Sequence, residues 1–195
     1  MLKEKLKEYK IILASGSPRR RQYFKDLGIE FEIRIQPVEE VYPTHLQGAE
    51  ISNYLSELKA SVLKDNLLKN EILVTSDTVV WYKNQSLAKA ASEKEAFEML
   101  KTLSDDWHEV ITSVSFTTAT SQITIPSTTK VKFKYLSDEE IKYYINNWKP
   151  FDKAGAYGIQ DWIGLIGIEE IQGSYPNVVG LPTHLLYKTL IAMVH

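Results

Sequence analysis

Lys10-Ile-Ile-Leu-Ala-Ser15-Gly-Ser-Pro-Arg19-Arg20-Arg21 joins a short apolar strand to a helix through a run of small residues. Pro18 suits the first turn of a helix, where its missing N–H costs nothing, and Ser17 can cap that helix. Free N–H groups and the dipole at such a helix start favour an anion, a phosphate above all. Arg19, Arg20 and Arg21 would add charged, forked donors. Taken alone, the run is more simply an ordinary capped helix with solvated arginines, and the choice depends on what accompanies it further along.

Working outward, Lys10–Ala14 reads as a buried strand and Pro18–Leu27 as the helix, stopped by Gly28. Phe31–Ile35 follows as a strand. Gln36–Gly48 carries Pro37, Glu39, Glu40 and Pro43 with weak periodicity and reads as a loop. Ala49–Leu68 sets Ile51, Leu55, Leu58, Val62 and Leu63 at helical spacing, with Lys59 beside the stripe. Ile72–Thr75 and Thr78–Tyr82 are apolar and extended, Asp77 interrupts them, and Lys83–Ser86 reads as a turn. Ser92-Glu-Lys-Glu95 and Ser137-Asp-Glu-Glu140 are capping boxes for helices running to about Leu103 and Asn147, the second ended by Pro150. His108–Thr118 is a strand, and Ile123–Ile125 and Thr129–Tyr135 read as two more, separated by a break at Pro126-Ser127. Between Gly155 and Gly180, glycines punctuate short apolar pieces, and Pro182–Val194 closes as a helix. Strands and helices mix without a strict βαβ repeat, which predicts an α/β fold with a mixed sheet.

The chain has 195 residues, enough for a substantial core in one domain, residues 1–195, or one domain with two lobes. Hydrophobic residues make up 44% and charged residues 25%, as in ordinary folded proteins. Net charge is −2, so no general positive field draws in nucleic acid or an anionic membrane, and any phosphate must be bound locally. There is no cysteine, which removes thiolate nucleophiles and zinc–thiolate sites; four scattered histidines offer no metal spacing. Hard-metal chemistry on carboxylates stays open. Met1–Tyr9 alternates both charge signs, unlike a signal peptide or a membrane span, and the expected location is the cytoplasm.

Asp77 lies between Ile72-Leu-Val and Val79-Val80-Trp81, where an ionised carboxylate needs a partner. It is a structural hydrogen-bond acceptor, or a functional acid, base or ligand. Glu40 is a loop carboxylate, ordinarily just a solvated charge; with Asp77 it could hold a hard divalent ion against phosphate oxygens. Lys59 and Lys89 are surface lysines unless an anion site lies near. In Phe151–Gln160, glycines allow close approach to a ligand and the Gln160 amide can read a base edge through one donor and one acceptor, while Tyr157 is expected to pack. His108, His184, Trp107, Trp148 and Trp162 read as structural.

Ala14-Ser-Gly-Ser-Pro-Arg-Arg20, Leu58-Lys59-Ala60, Ser76-Asp77-Thr78-Val79-Val80, His108-Glu-Val-Ile-Thr112, Asp152-Lys-Ala-Gly-Ala-Tyr-Gly-Ile-Gln160 and Val178-Val-Gly-Leu-Pro182 occur in an order similar to that of Maf proteins, across nearly the whole chain. Any one piece is weak; the ordered set is specific. The resemblance implies a two-lobed, inosine-triphosphatase-like fold with a cleft. It also implies a nucleoside triphosphate pyrophosphatase that cleaves between the α and β phosphorus atoms with a divalent metal ion (Mg, Mn or Co). By the same resemblance Asp77 is the general base or metal-anchored proton acceptor, Glu40 joins it at the metal, and Ser15, Arg19, Arg20, Lys59 and Lys89 meet phosphate. Arg19, Thr78 and Gln160 match the family branch acting on dTTP, UTP and modified pyrimidine nucleotides; the branch acting on 7-methyl-GTP has glutamate where Gln160 stands. The implied partner is the nucleotide, with no nucleic acid and no membrane, and a homodimer remains open. A non-catalytic regulator of septum formation is the alternative that the family's links with cell division leave standing. Three departures stand out: Ala90 replaces a usual proline, Asp105 and Asp106 occupy a place where glycine is common, and Trp162 replaces a small residue, which is expected to alter the pocket wall.

Overall fold

The structure is a computed structural model and describes residues 2–194. Its centre is a seven-stranded sheet ordered β2-β1-β3-β5-β6-β7, with β4 paired to β3. The strands are β1 (Lys10–Leu13), β2 (Glu32–Ile33), β3 (Glu71–Tyr82), β4 (Gln85–Leu87), β5 (Trp107–Thr117), β6 (Gln122–Phe133) and β7 (Ile168–Gln172). β1 runs parallel to β2 and β3, and the remaining pairings are antiparallel. The expected mixed α/β sheet is what forms. β3 and β5 read as near-continuous apolar or small residues because both of their faces are covered.

The helices are α1 (Leu2–Lys5), α2 (Pro18–Asp26), α3 (Ala49–Lys64), α4 (Glu93–Leu103), α5 (Asp138–Trp148), α6 (Trp162–Gly167), α7 (Tyr175–Val179) and α8 (Thr183–Met193). Two large apolar clusters build two lobes. In one, α1, α2 and α8 pack Leu2, Phe24, Leu186 and Leu190 against Ile11, Ile72 and Phe116 of the sheet. In the other, α4, α5 and α6 pack Leu100, Leu103, Ile141, Tyr144 and Ile163 against Val80, Val131 and Phe133. Each such side chain, fully buried, contributes about 1.5–3 kcal/mol relative to an exposed one. α3 lies along β3 and β5, with Ile51 and Leu55 on Val79 and Ala60 and Leu63 against Leu73. The rest of that seam is polar: Ser52 Oγ lies 2.7 Å from Ser113 Oγ, and Ser56 Oγ 2.8 Å from Ser115 Oγ.

Several local expectations differ from what forms. Gln122–Phe133 is one unbroken strand, although Pro126 suggested a break. Pro126 faces Ser113 of β5, and β7 joins β6 only from Lys130 onward, so the missing N–H interrupts no β6–β7 ladder. Asp77 likewise sits inside one continuous β3. β2 keeps only two residues of Phe31–Ile35, and the turn before β4 is confined to Lys83-Asn84, both at positive φ. Of the capping boxes, Ser137/Glu140 is complete, while Glu95 accepts from Ala91 N–H instead of its own cap residue. The segment opening the chain is anchored by Leu2 and Leu6, which enter the α8 core; Met1 lies outside the described residues. Asp105 adopts φ 58°, a conformation that aspartate tolerates.

Candidate functional site

The parallel strand β1 stops opposite Val74, whereas β3 continues to Tyr82 and regains a neighbour on that side only where β4 pairs with Val80–Tyr82. The backbone edge between these pairings is open. Chain ends and loops converge on it and leave a cleft of about 1020 Å³ between the lobes. Every sequence-selected residue lines this cleft: Ser15, Arg19, Arg20, Glu40, Lys59, Asp77, Thr78, Lys89 and Gln160. An open crevice beyond the end of a parallel strand is the general place for a ligand in α/β sheets.

At one wall, Ser15 and the start of α2 follow β1 directly. Ser17 Oγ accepts from Arg20 N–H at 3.5 Å, as the cap expectation required, and Ser15 Oγ accepts from Ser17 N–H at 3.2 Å. Side chains alternate along β3, so Thr75, Asp77 and Val79 face α3 while Ser76, Thr78 and Val80 face the opposite side. Asp77 is therefore aimed at α3, where Lys59 meets it: Lys59 Nζ is 2.6 Å from Asp77 Oδ1 and 3.2 Å from Glu40 Oε1. The buried carboxylate thus has the partner that its strand position demands. Lys59 and Asp77 are largely shielded, with side chains 18% and 9% exposed, whereas Glu40 reaches them from the loop.

Arg20 occupies the other face. Its Nε donates to Gly180 O at 2.7 Å, Nη1 to Ser76 O at 2.8 Å and Nη2 to Thr78 Oγ1 at 3.1 Å. One guanidinium therefore ties α2, β3 and the α7–α8 junction together on either side of Asp77, and these bonds use three of its five N–H groups. Burial lowers its pKa, while the charge of Asp77 opposes that shift. The chain continues inward: Thr78 Oγ1 is 3.0 Å from Thr112 Oγ1, which donates to Asn177 O at 2.9 Å. Arg19 is half-buried and makes no such clamp, and Arg21 donates from Nε to Ser15 O at 3.3 Å. Arg21, expected as a third forked donor to the anion, does not line the cleft; its guanidinium supports the Ser15 backbone instead.

Opposite, Lys89 is held by an isolated bridge to Ala154, and Ala90 is buried beside it. The glycine-rich segment supplies Gln160, exposed to the cleft, together with groups the sequence reading gave no role. Lys153 Nζ sits 2.8 Å from Asp152 Oδ1 and 3.8 Å from Asp161 Oδ2. Their signal was charge embedded among glycines and apolar residues. Tyr157 is buried as expected, its hydroxyl 2.6 Å from His108 Nε2, and burial pulls the His108 pKa down to about 4. Trp162 does not line the cleft; it packs on Tyr143 and Trp148, so the expected change of pocket wall does not arise from its side chain.

The donor set suits a hard cation. Glu40 and Asp77 already converge on one ammonium, and two carboxylates with phosphate and water oxygens satisfy a small divalent ion. Among the described residues no group of three or more His, Asp or Glu side chains gathers to form an all-protein cage.

A model of the family described as Maf-like protein matches residues 10–193. The chain is 57% identical over 194 residues to a dTTP/UTP pyrophosphatase of Flavobacterium johnsoniae, covering 100% of both chains. It is 56% identical over 191 residues to the dTTP/UTP pyrophosphatase of Flavobacterium psychrophilum, covering 98% of each. Among solved structures, the Staphylococcus aureus Ham1 protein superposes with a TM-score of 0.54 at 14% identity, over 94% of this chain and 99% of that one, a likeness of fold alone. With full-length identity at this level and the motif residues gathered in one cleft, the chain belongs to the Maf-like protein family.

Proposed function

We propose that this protein hydrolyses dTTP and UTP to the nucleoside monophosphate and pyrophosphate, clearing such nucleotides and related modified pyrimidines from the cytoplasmic pool. The observation that carries the reading is the Asp77–Lys59–Glu40 cluster, set at the open edge of β3 in the same cleft as Ser15, Arg19, Lys89 and Gln160. Its near relatives bear the name of that activity over their whole length.

Water attacks the α-phosphorus, the bond from that phosphorus to the α,β-bridging oxygen breaks, and pyrophosphate leaves with the bond's electron pair. Asp77 takes the proton of the attacking water through its carboxylate. A divalent ion held by Asp77 and Glu40 would neutralise phosphate charge and lower the pKa of that water. Lys59 exchanges its carboxylate partners for phosphate oxygens, Ser15, Arg19 and Lys89 hold the triphosphate chain, and Arg20 keeps Ser76 and Thr78 in place with two N–H groups left over for an anion. Gln160 pairs with the imide edge of the base, accepting from the ring N–H and donating to a carbonyl.

Asp77→Asn preserves an acceptor for Lys59 and with it the fold, and should lower kcat by about 100-fold or more. Unchanged activity in this variant would remove Asp77 from the reaction. Product analysis is the second arm: orthophosphate with a nucleoside diphosphate would mean γ-cleavage and a different mechanism.

A further inference from the structure

Gln160 is the residue that pairs with the base edge in this reading, yet its amide has no hydrogen-bond partner among the described residues and its side chain is exposed. Its orientation must come from the backbone beneath it. That backbone is a tight turn, closed by Asp161 N–H donating to Gly158 O at 3.0 Å, with Gln160 on it. Both ends of the turn are held by one buried hydroxyl from another element. Tyr144 of α5, fully buried, accepts from Gly158 N–H at 3.1 Å and donates to Asp161 Oδ2 at 2.7 Å.

The surroundings fit this arrangement. Asp161 stands at the N-cap of α6, where an aspartate normally accepts from a helix N–H. Here its side chain makes no cap bond and turns to the phenol instead. The carboxylate lies so close over Gly158 that an added Cβ would stand 2.5 Å from Asp161 Oδ2, so glycine is what lets the two ends meet. Burial raises the Tyr144 pKa, with the bond to Asp161 acting in the same direction, which keeps the hydroxyl protonated and able to donate.

We infer that Tyr144 is a positioning residue for base selection: by pinning Gly158 and Asp161 together through one hydroxyl, it fixes the turn that presents Gln160 to the nucleobase. The inference rests on the proposed pyrimidine nucleotide pyrophosphatase activity and extends it to a residue outside the cleft lining.

The test is the ratio of kcat/KM for dTTP to kcat/KM for ATP, measured within each purified variant so that any loss of folded enzyme cancels. Tyr144→Phe keeps the ring and its packing and removes only the bridge; the ratio should fall by about tenfold, with kcat on ATP unchanged. Asp161→Asn still offers an oxygen to the Tyr144 hydroxyl and should keep the wild-type ratio. Gln160→Ala supplies the reference, with a loss at least as large as that of Tyr144→Phe. If Gln160→Ala lowers the ratio and Tyr144→Phe does not, the positioning role is overturned while the function stands. A loss in Asp161→Asn equal to that in Tyr144→Phe also overturns it, since charge rather than the bridge would then matter. If Gln160→Ala leaves the ratio untouched, the reading of the base site falls and this inference with it.

Discussion

Replacing Arg20 by alanine separates a clamp from a phosphate ligand. Two of the three bonds it would remove are charge-assisted contacts to backbone carbonyls, at 2.7 Å to Gly180 and 2.8 Å to Ser76, and the third reaches the Thr78 hydroxyl at 3.1 Å. Hydrogen bonds to charged groups contribute about 1.5–3 kcal/mol each, and the carbonyls left behind lose a partner in a partly shielded place. Water entering from the cleft recovers some of this, so the loss should be about 3–5 kcal/mol. For a chain of this size that lowers the melting temperature by roughly 10 °C. Arg21→Ala removes one 3.3 Å bond to Ser15 O and should cost no more than about 1 kcal/mol. Urea unfolding followed by tryptophan fluorescence gives both values. An Arg20→Ala protein as stable as wild type, with only its KM for dTTP raised, would refute the clamp and make Arg20 a phosphate contact alone.

Two further outcomes follow from the same geometry. Lys59→Met removes the ammonium that now shares Asp77 and Glu40, so Mn²⁺ titrated without nucleotide should bind about tenfold more tightly while kcat/KM falls; weaker Mn²⁺ binding would separate those carboxylates from the metal. His108 is held neutral at about 4 against 6.5 in the unfolded chain. Above pH 6.5 both states are neutral and the residue has no effect on stability; as pH falls, the unfolded state takes up the proton first. About 3 kcal/mol should therefore be lost between pH 6.5 and 4 and level off below, a drop missing from the stability profile of His108→Asn.

What could be read from the sequence was whatever is signalled locally. The strand, small-residue turn, Pro18 and Ser17 cap between Lys10 and Arg21 form a self-contained instruction, and the structure follows it. Ser137 and Glu140 likewise carry their whole capping box within four residues. Pro126 was misleading because the cost of a proline in a strand depends on whether another strand pairs on its N–H side, which is a property of the sheet. Asp77 suggested an interruption because its partner, Lys59, comes from a different element. The candidate residues were individually ambiguous, and no local pattern shows that the pairing of β1 with β3 ends at Val74, three residues before Asp77, and leaves the edge of β3 open. Nor could any pattern around Tyr144 or Asp161 reveal that they share a hydrogen bond, since one belongs to a helix core and the other to a glycine-rich turn.

The hydroxyl chain behind the cleft has a sense of direction. A carbonyl can only accept, so the single proton of Thr112 goes to Asn177 O; Thr78 must then give its own proton to Thr112 and receive one from Arg20. Thr78 therefore has no hydrogen to offer outward and keeps only acceptor capacity. The donors on this face are the two N–H groups that Arg20 has left over, and Thr78 adds none to them. An anion meeting this face of β3 is therefore held by the guanidinium and not by the hydroxyl beside it.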